Sequence, residues 1–169
     1  MAYKPITMVS LEEFEIAELQ PILGRYGMQL NKLSSTAKIP YSYWGAPEAG
    51  RKNDQLFTRD DTPLHSLLHE ACHYVCMPEK QRNSDDPDAA GSTAEENATC
   101  YLQILLADHI VRYDRKQQMQ DMDNWGYSFR LGSASAWFQQ DAEDAKKWLV
   151  QHKIIDMHDN ISWKLRSLP

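Results

Sequence analysis

Cysteine is scarce: the chain holds 3, namely Cys72, Cys76 and Cys100. An odd, low count excludes the disulfide lattice of a small secreted domain, and free buried thiols are the expected state. Positive charge is not in surplus either. Lys+Arg number 18 against 24 Asp+Glu, a net charge of −6 with no basic stripe. A partner gripped through its phosphates is therefore not expected, which excludes the usual nucleic-acid binder. Long apolar runs are missing, since nothing approaches the roughly 18–20 residues of a membrane span. The start, Met1-Ala-Tyr-Lys-Pro-Ile-Thr-Met8, lacks the apolar segment of a secretion signal. The expected setting is cytoplasmic, without a membrane partner. Internal repeats and low-complexity tracts are absent as well. What remains is 169 residues, 42% hydrophobic and 25% charged, enough for one domain, residues 1–169, with a real core.

The pattern of elements is mostly helical, with a small sheet. Ser10 and Glu13 have capping-box spacing, and Leu11, Phe14, Ile16 and Leu19 follow as an apolar face, broken by Pro21 and Gly24. A short helical stretch is expected from about Tyr26 to Leu33. Ile39 to Gly45 is rich in β-formers, Pro47 to Asn53 reads as a loop, and Gln55 to Arg59 reads as a strand. Together they suggest a small antiparallel sheet. Asp61 or Thr62 as N-cap and Pro63 in the first turn then open a helix that runs to Met77 before Pro78. A polar loop spans Pro78 to Gly91. A helix apolar nearly all round follows, from Ser92 or Thr93 to about Arg115, and such a helix is central in a core. After a polar stretch, Gln117 to Asn124, one amphipathic helix is expected over Ser133 to His152. Residues 154–169 read as a packed tail with Trp163 as its anchor. The fold class is α+β, with a central part at about 39–112 and a C-terminal helical part at about 133–169.

One motif carries chemistry. His69-Glu70-Ala71-Cys72-His73 fits H-E-x-x-H inside the well-capped helix. Four residues exceed one helical turn only slightly, so both imidazoles share a face and can point at one ion, normally Zn2+. Glu70 is displaced around the helix, where it can serve a metal-bound water as general base. A catalytic zinc needs a third protein ligand besides water. Glu95, Glu96 and His109 are candidates. His65 stands i, i+8 from His73, about 12 Å along the axis, and is read as a helix-face residue behind the ligands. Ser92-x-x-Glu95 and Thr93-x-x-Glu96 both have capping-box spacing, so one glutamate can cap while the other binds. A rival arrangement would use the thiols of Cys72, Cys76 and Cys100 with His69 and His73 in a closed structural site, which leaves Glu70 without a role. Tyr74, His109, Tyr127 and Arg130 are candidate oxyanion donors. Asp60, Asp61 and Asp108 are candidate partners for the second nitrogen of a metal-bound histidine.

His69-Glu-Ala-Cys-His73 followed by Glu95-Glu-Asn-Ala98 and Tyr101 to Leu106 resembles the zincin metallopeptidases of the gluzincin type, and among them the small ImmA/IrrE-like domains. In that group the third ligand is a glutamate followed three residues later by a small residue, so the resemblance implies Glu95, with Glu96 as the alternative. It also implies a zincin-like fold around the H-E-x-x-H helix. Thr99 stands where the group carries Asn or Asp, and Ala107-Asp108 where it carries a proline. The resemblance covers about Thr62 to Asp108. It implies a zinc metallopeptidase with one Zn2+, a peptide or protein substrate, and Glu70 as catalytic base. The alternative is a zincin-like binding or regulatory domain with little turnover.

Overall fold

A computed structural model of the chain describes residues 8–83 and 91–167. The Ser10–Glu13 capping box forms, but it closes only a 3₁₀ turn, Leu11–Glu13. A second box, Glu15 with Glu18, restarts the chain as α1, Ile16–Gly24. Pro21 does not end this helix; it sits on the exposed side, where water can serve the carbonyl left unpaired. The stretch expected to be a second helix is instead strand β1, Gln29–Lys32. Its backbone is captured by the Gln20 side chain on α1, which donates to Met28 O at 3.0 Å and accepts from Leu30 N–H at 2.8 Å. The winning partners are non-local, which local propensity does not register.

Strands β2, Gly50–Lys52, and β3, Gln55–Thr58, complete a three-stranded sheet of order β1-β3-β2. The sheet is mixed rather than antiparallel. β1 runs parallel to β3 from Gln29↔Gln55 to Lys32↔Thr58, and only β2 is antiparallel to it. β2 lies inside the span read as a loop, while Ile39 to Gly45 contributes no strand. Gly50 is required by a close approach. A Cβ there would lie 1.9 Å from Pro40 O and 2.9 Å from Ser42 N. Gly50→Ala is expected to destabilise the chain by about 1–3 kcal/mol, read as a lower denaturation midpoint at unchanged slope.

Helix α2, Leu64–Cys76, starts one residue later than Thr62 capping would place it, with Pro63 at the N-cap position. Thr62 turns its hydroxyl to Arg59 N–H instead, at 2.9 Å. Pro78 ends α2 and caps the four-residue α3, Glu79–Arg82, so the polar segment is not loop throughout. The centre of that segment, residues 84–90, lies outside the described residues, as does the end of the tail. α4, Thr93–Ala107, is capped by Ser92, whose hydroxyl accepts from Glu95 N–H at 3.2 Å. It stops short of Arg115. Asp114 then caps α5, Arg115–Trp125, which takes in the span read only as a polar stretch. Gly126 ends α5 with φ 108, a left-handed cap.

The expected single C-terminal helix is two, α6 (Ala134–Gln140) and α7 (Glu143–Gln151). The break falls at Asp141, φ −136, whose carboxylate is paired with Arg130. The tail packs through Trp163, which meets Tyr26 at 5.4 Å between centroids and lies 3.7 Å from the Arg25 guanidinium carbon.

Among the described residues the fold is α+β, with seven helices and one small sheet. No helix among them is long and apolar enough to cross a membrane. The core is built where α2 packs on α4: Leu64, Ala71 and Val75 from one side, Leu102, Ile104 and Leu106 from the other, all fully buried. Each of the leucine, isoleucine and valine side chains contributes about 1.5–3 kcal/mol by leaving water. This dry contact fixes the helix pair on which the polar residues of the motif converge.

Candidate metal centre

α2 presents His69 and His73 one turn apart with their rings perpendicular and centroids 4.5 Å apart. Their Nε2 atoms are 3.0 Å from each other. Glu96, in the first turn of α4, spans both: its Oε1 lies 3.2 Å from His69 Nε2 and its Oε2 3.0 Å from His73 Nε2. A tetrahedral zinc with nitrogen or oxygen ligands separates its donor atoms by about 3.3 Å. The three side chains therefore offer donors at close to the spacing one ion demands.

The second nitrogen of His69 is also held. Its Nδ1 is 2.6 Å from Gln103 Oε1. An amide oxygen can only accept, so Nδ1 carries a proton, and Nε2 is the nitrogen turned toward Glu96 and His73. Gln103 is fully buried, two turns along α4 from Glu96. The aspartates expected in this role are engaged elsewhere: Asp60 with Lys32, Asp61 with Arg59 and Asp108 with Arg115. Burial raises the Glu96 carboxyl, but hydrogen bonds from both imidazoles reverse this and hold it far below the ordinary carboxylate range. Burial likewise opposes charge on His69, yet Tyr127, Cys100 and Glu96 around it raise its proton affinity well above that of free imidazole.

Glu95 is not where the resemblance would put it. Successive helix residues point about 100° apart, so Glu95 and Glu96 face different neighbours. Glu95 is 5% exposed, with Oε1 2.8 Å from Arg166 Nη1. Its Oε2 leaves no room for a side chain at Gly91, whose added Cβ would sit 1.8 Å away. Burial raises the Glu95 carboxyl and Arg166 opposes that shift. The Arg166 strap also ties α2, donating its backbone N–H to Val75 O at 2.9 Å and Nη1 to Cys76 O at 3.2 Å. Thus Glu95 joins the tail to the helix pair, while Glu96, the alternative, meets the imidazoles.

The other candidates separate cleanly. His109 packs on Trp163, 5.0 Å between centroids. His65 is buried behind the motif, with Nδ1 3.2 Å from the Tyr127 hydroxyl and Nε2 without a partner. Arg130 is paired with Asp141, and Tyr74 lies near Arg51 and Arg82. Of the proposed oxyanion donors only Tyr127 reaches the centre, its ring 5.7 Å from that of His69. Burial pushes its hydroxyl up to about 12, so it stays a donor at neutral pH. Cys72, Cys76 and Cys100 are all free and buried. Only Cys100 enters the centre: its Sγ, a ring nitrogen of His69 and a Glu96 oxygen all lie within 4.8 Å of one another, a group able to hold a metal ion.

Glu70 is half-buried beside His69 and interacts electrostatically with Glu48 and Arg51. Sequence reasoning missed Gln103 and Glu48. Gln103 has a signal in hindsight, being a buried amide on the same face of α4 as Glu96. Glu48 has none; it stands on the loop before β2, its carboxyl raised by burial and by Glu70, with the Trp125 indole N–H opposing. Comparison with family models, curated proteins and solved structures finds no match to this chain.

Proposed function

We propose that the chain is a zinc-dependent hydrolase, most specifically a metallopeptidase with a zincin-like centre. The observation that carries this reading is the convergence of His69 Nε2, His73 Nε2 and the Glu96 carboxylate within 3.0–3.2 Å, with Glu70 next in the chain to His69. A mixed nitrogen and oxygen donor set suits zinc. His69, His73 and Glu96 would hold the ion, and zinc held so supplies Lewis acidity and makes water acidic near neutral pH. Glu70 accepts the proton of the attacking water and delivers it to the leaving nitrogen. Tyr127 supplies a hydrogen bond to the oxygen that gains charge in the transition state. Gln103 keeps His69 in the tautomer that leaves Nε2 free. The substrate is a peptide or protein.

Metal analysis of the purified chain and its variants tests the assignment. Stoichiometric zinc is expected in the wild type and in Glu70→Gln. It is expected to be lost in His69→Ala, His73→Ala and Glu96→Ala, and kept in Glu95→Gln, with circular dichroism confirming that each variant is folded. A metal-free wild type overturns the reading. Zinc lost from Glu95→Gln but kept by Glu96→Ala returns the third ligand to Glu95.

A further inference from the structure

On the face of α4 that looks toward the motif, Glu96, Cys100 and Gln103 follow one another at i, i+4 and i+7. The first and last have roles in the metal reading. The middle one does not, although its thiol lies within 4.8 Å of a His69 ring nitrogen and a Glu96 oxygen and the residue is only 6% exposed. All three cysteines border the apolar core, Cys72 and Cys76 completely buried, but Cys100 alone belongs to the donor group.

We propose that Cys100 is a fourth protein ligand, making the resting centre a closed His69-His73-Glu96-Cys100 site whose hydrolytic activity is latent. This rests on the metal reading above and adds to it the state of the position that catalytic water needs. Four-coordinate sites with four protein donors are closed, whereas catalytic ones keep a position for water. A tetrahedral ion separates sulfur from a nitrogen or oxygen donor by about 3.6 Å. The thiol lies within 4.8 Å of a His69 ring nitrogen and a Glu96 oxygen, close enough for a side-chain rotation to bring it toward an ion held by His69, His73 and Glu96. Coordination converts the thiol to thiolate, its proton passing to solvent, and adds the softest donor of the set, which favours zinc over magnesium or calcium. Latency then follows from geometry: while sulfur is bound, water is not, and Glu70 has nothing to deprotonate. Withdrawal of the sulfur opens the site without disturbing the other three ligands.

Cobalt substitution of the intact chain reads the ligand directly. The Co(II)-loaded wild type is expected to show an intense near-ultraviolet sulfur-to-metal band, lost in Cys100→Ser and kept in Cys72→Ser and Cys76→Ser. Metal affinity in Cys100→Ser is expected to fall at least tenfold. Zinc-edge X-ray absorption of the wild type needs no variant, and a sulfur shell at about 2.3 Å is the expected result. Peptide hydrolysis by zinc-loaded Cys100→Ala is expected to exceed that of the wild type several-fold. Bound cobalt without the band, a band indifferent to Cys100→Ser, or a zinc shell of nitrogen and oxygen alone overturns the fourth ligand while leaving the metal reading intact. Equal or slower hydrolysis by Cys100→Ala overturns the latency. A chain that binds neither metal overturns both proposals.

Discussion

Glu70→Gln is expected to lower peptide hydrolysis by about 10²–10⁴-fold while zinc content and fold stay unchanged. The amide keeps the size of the carboxylate and loses its capacity to take a proton. Glu70 is not among the donors that converge on the metal position, so binding should not change. Arg51 acts on Glu70 with opposite charge and Glu48 with like charge, and that opposed pair is what the substitution leaves behind. The informative measurement is kcat with the metal content of the same sample. A loss in KM alone, with kcat retained, would assign Glu70 to substrate binding. Equal loss of metal and activity would make it structural. Unchanged hydrolysis would sink the general-base assignment outright.

The second large effect concerns stability in acid. His65 is 1% exposed, and burial, with a smaller push from His69, lowers its pKa to about 3. Unfolded, the same imidazole titrates near 6.5. Between those values the unfolded chain binds a proton that the folded chain refuses, so stability falls as pH drops through this window and is fully present above it. At about 1.4 kcal/mol per pH unit the loss from this residue is on the order of 3–5 kcal/mol by pH 3. His65→Gln removes the titration and retains a hydrogen-bonding group beside Tyr127. Denaturation midpoints from pH 7 to pH 3 should therefore fall less steeply in the variant. The Glu96 carboxylate, held low by its imidazoles, adds an acid loss of the same sign, and this part should persist in both proteins. Parallel curves would show that His65 is not held neutral by its surroundings.

What could be read in advance divides along a physical line. The α2 span was legible because prolines bracket it and its apolar residues repeat at helical spacing. The pairing of His69 with His73 was legible because i, i+4 geometry is local. Which glutamate meets the imidazoles was not. Glu95 and Glu96 share one capping pattern, and the choice between them is made by Arg166, 71 residues away from Glu95. The partner of His69 Nδ1 was sought among carboxylates because those are the strongest acceptors; the one used is the amide of Gln103, brought in by helix packing. β1 was lost to helix for a similar reason, since its identity depends on Gln20 and on β3. The break in the C-terminal helix falls at Asp141, which pairs with Arg130 from the preceding turn. In each case the deciding neighbour is close in space and its influence has no local signature in the chain.

The Arg166 strap has a mechanical consequence. One residue holds the C-terminal end of α2 through two carbonyls and the start of α4 through the Glu95 carboxylate. It therefore acts as a clasp between the two rods that carry the donors, set close to the donors themselves. Tension along the tail reaches both rods through one guanidinium and the backbone beside it, and slack in the tail frees both together. Where the neighbouring chain is anchored thus sets how firmly the donor atoms are kept at the spacing an ion needs.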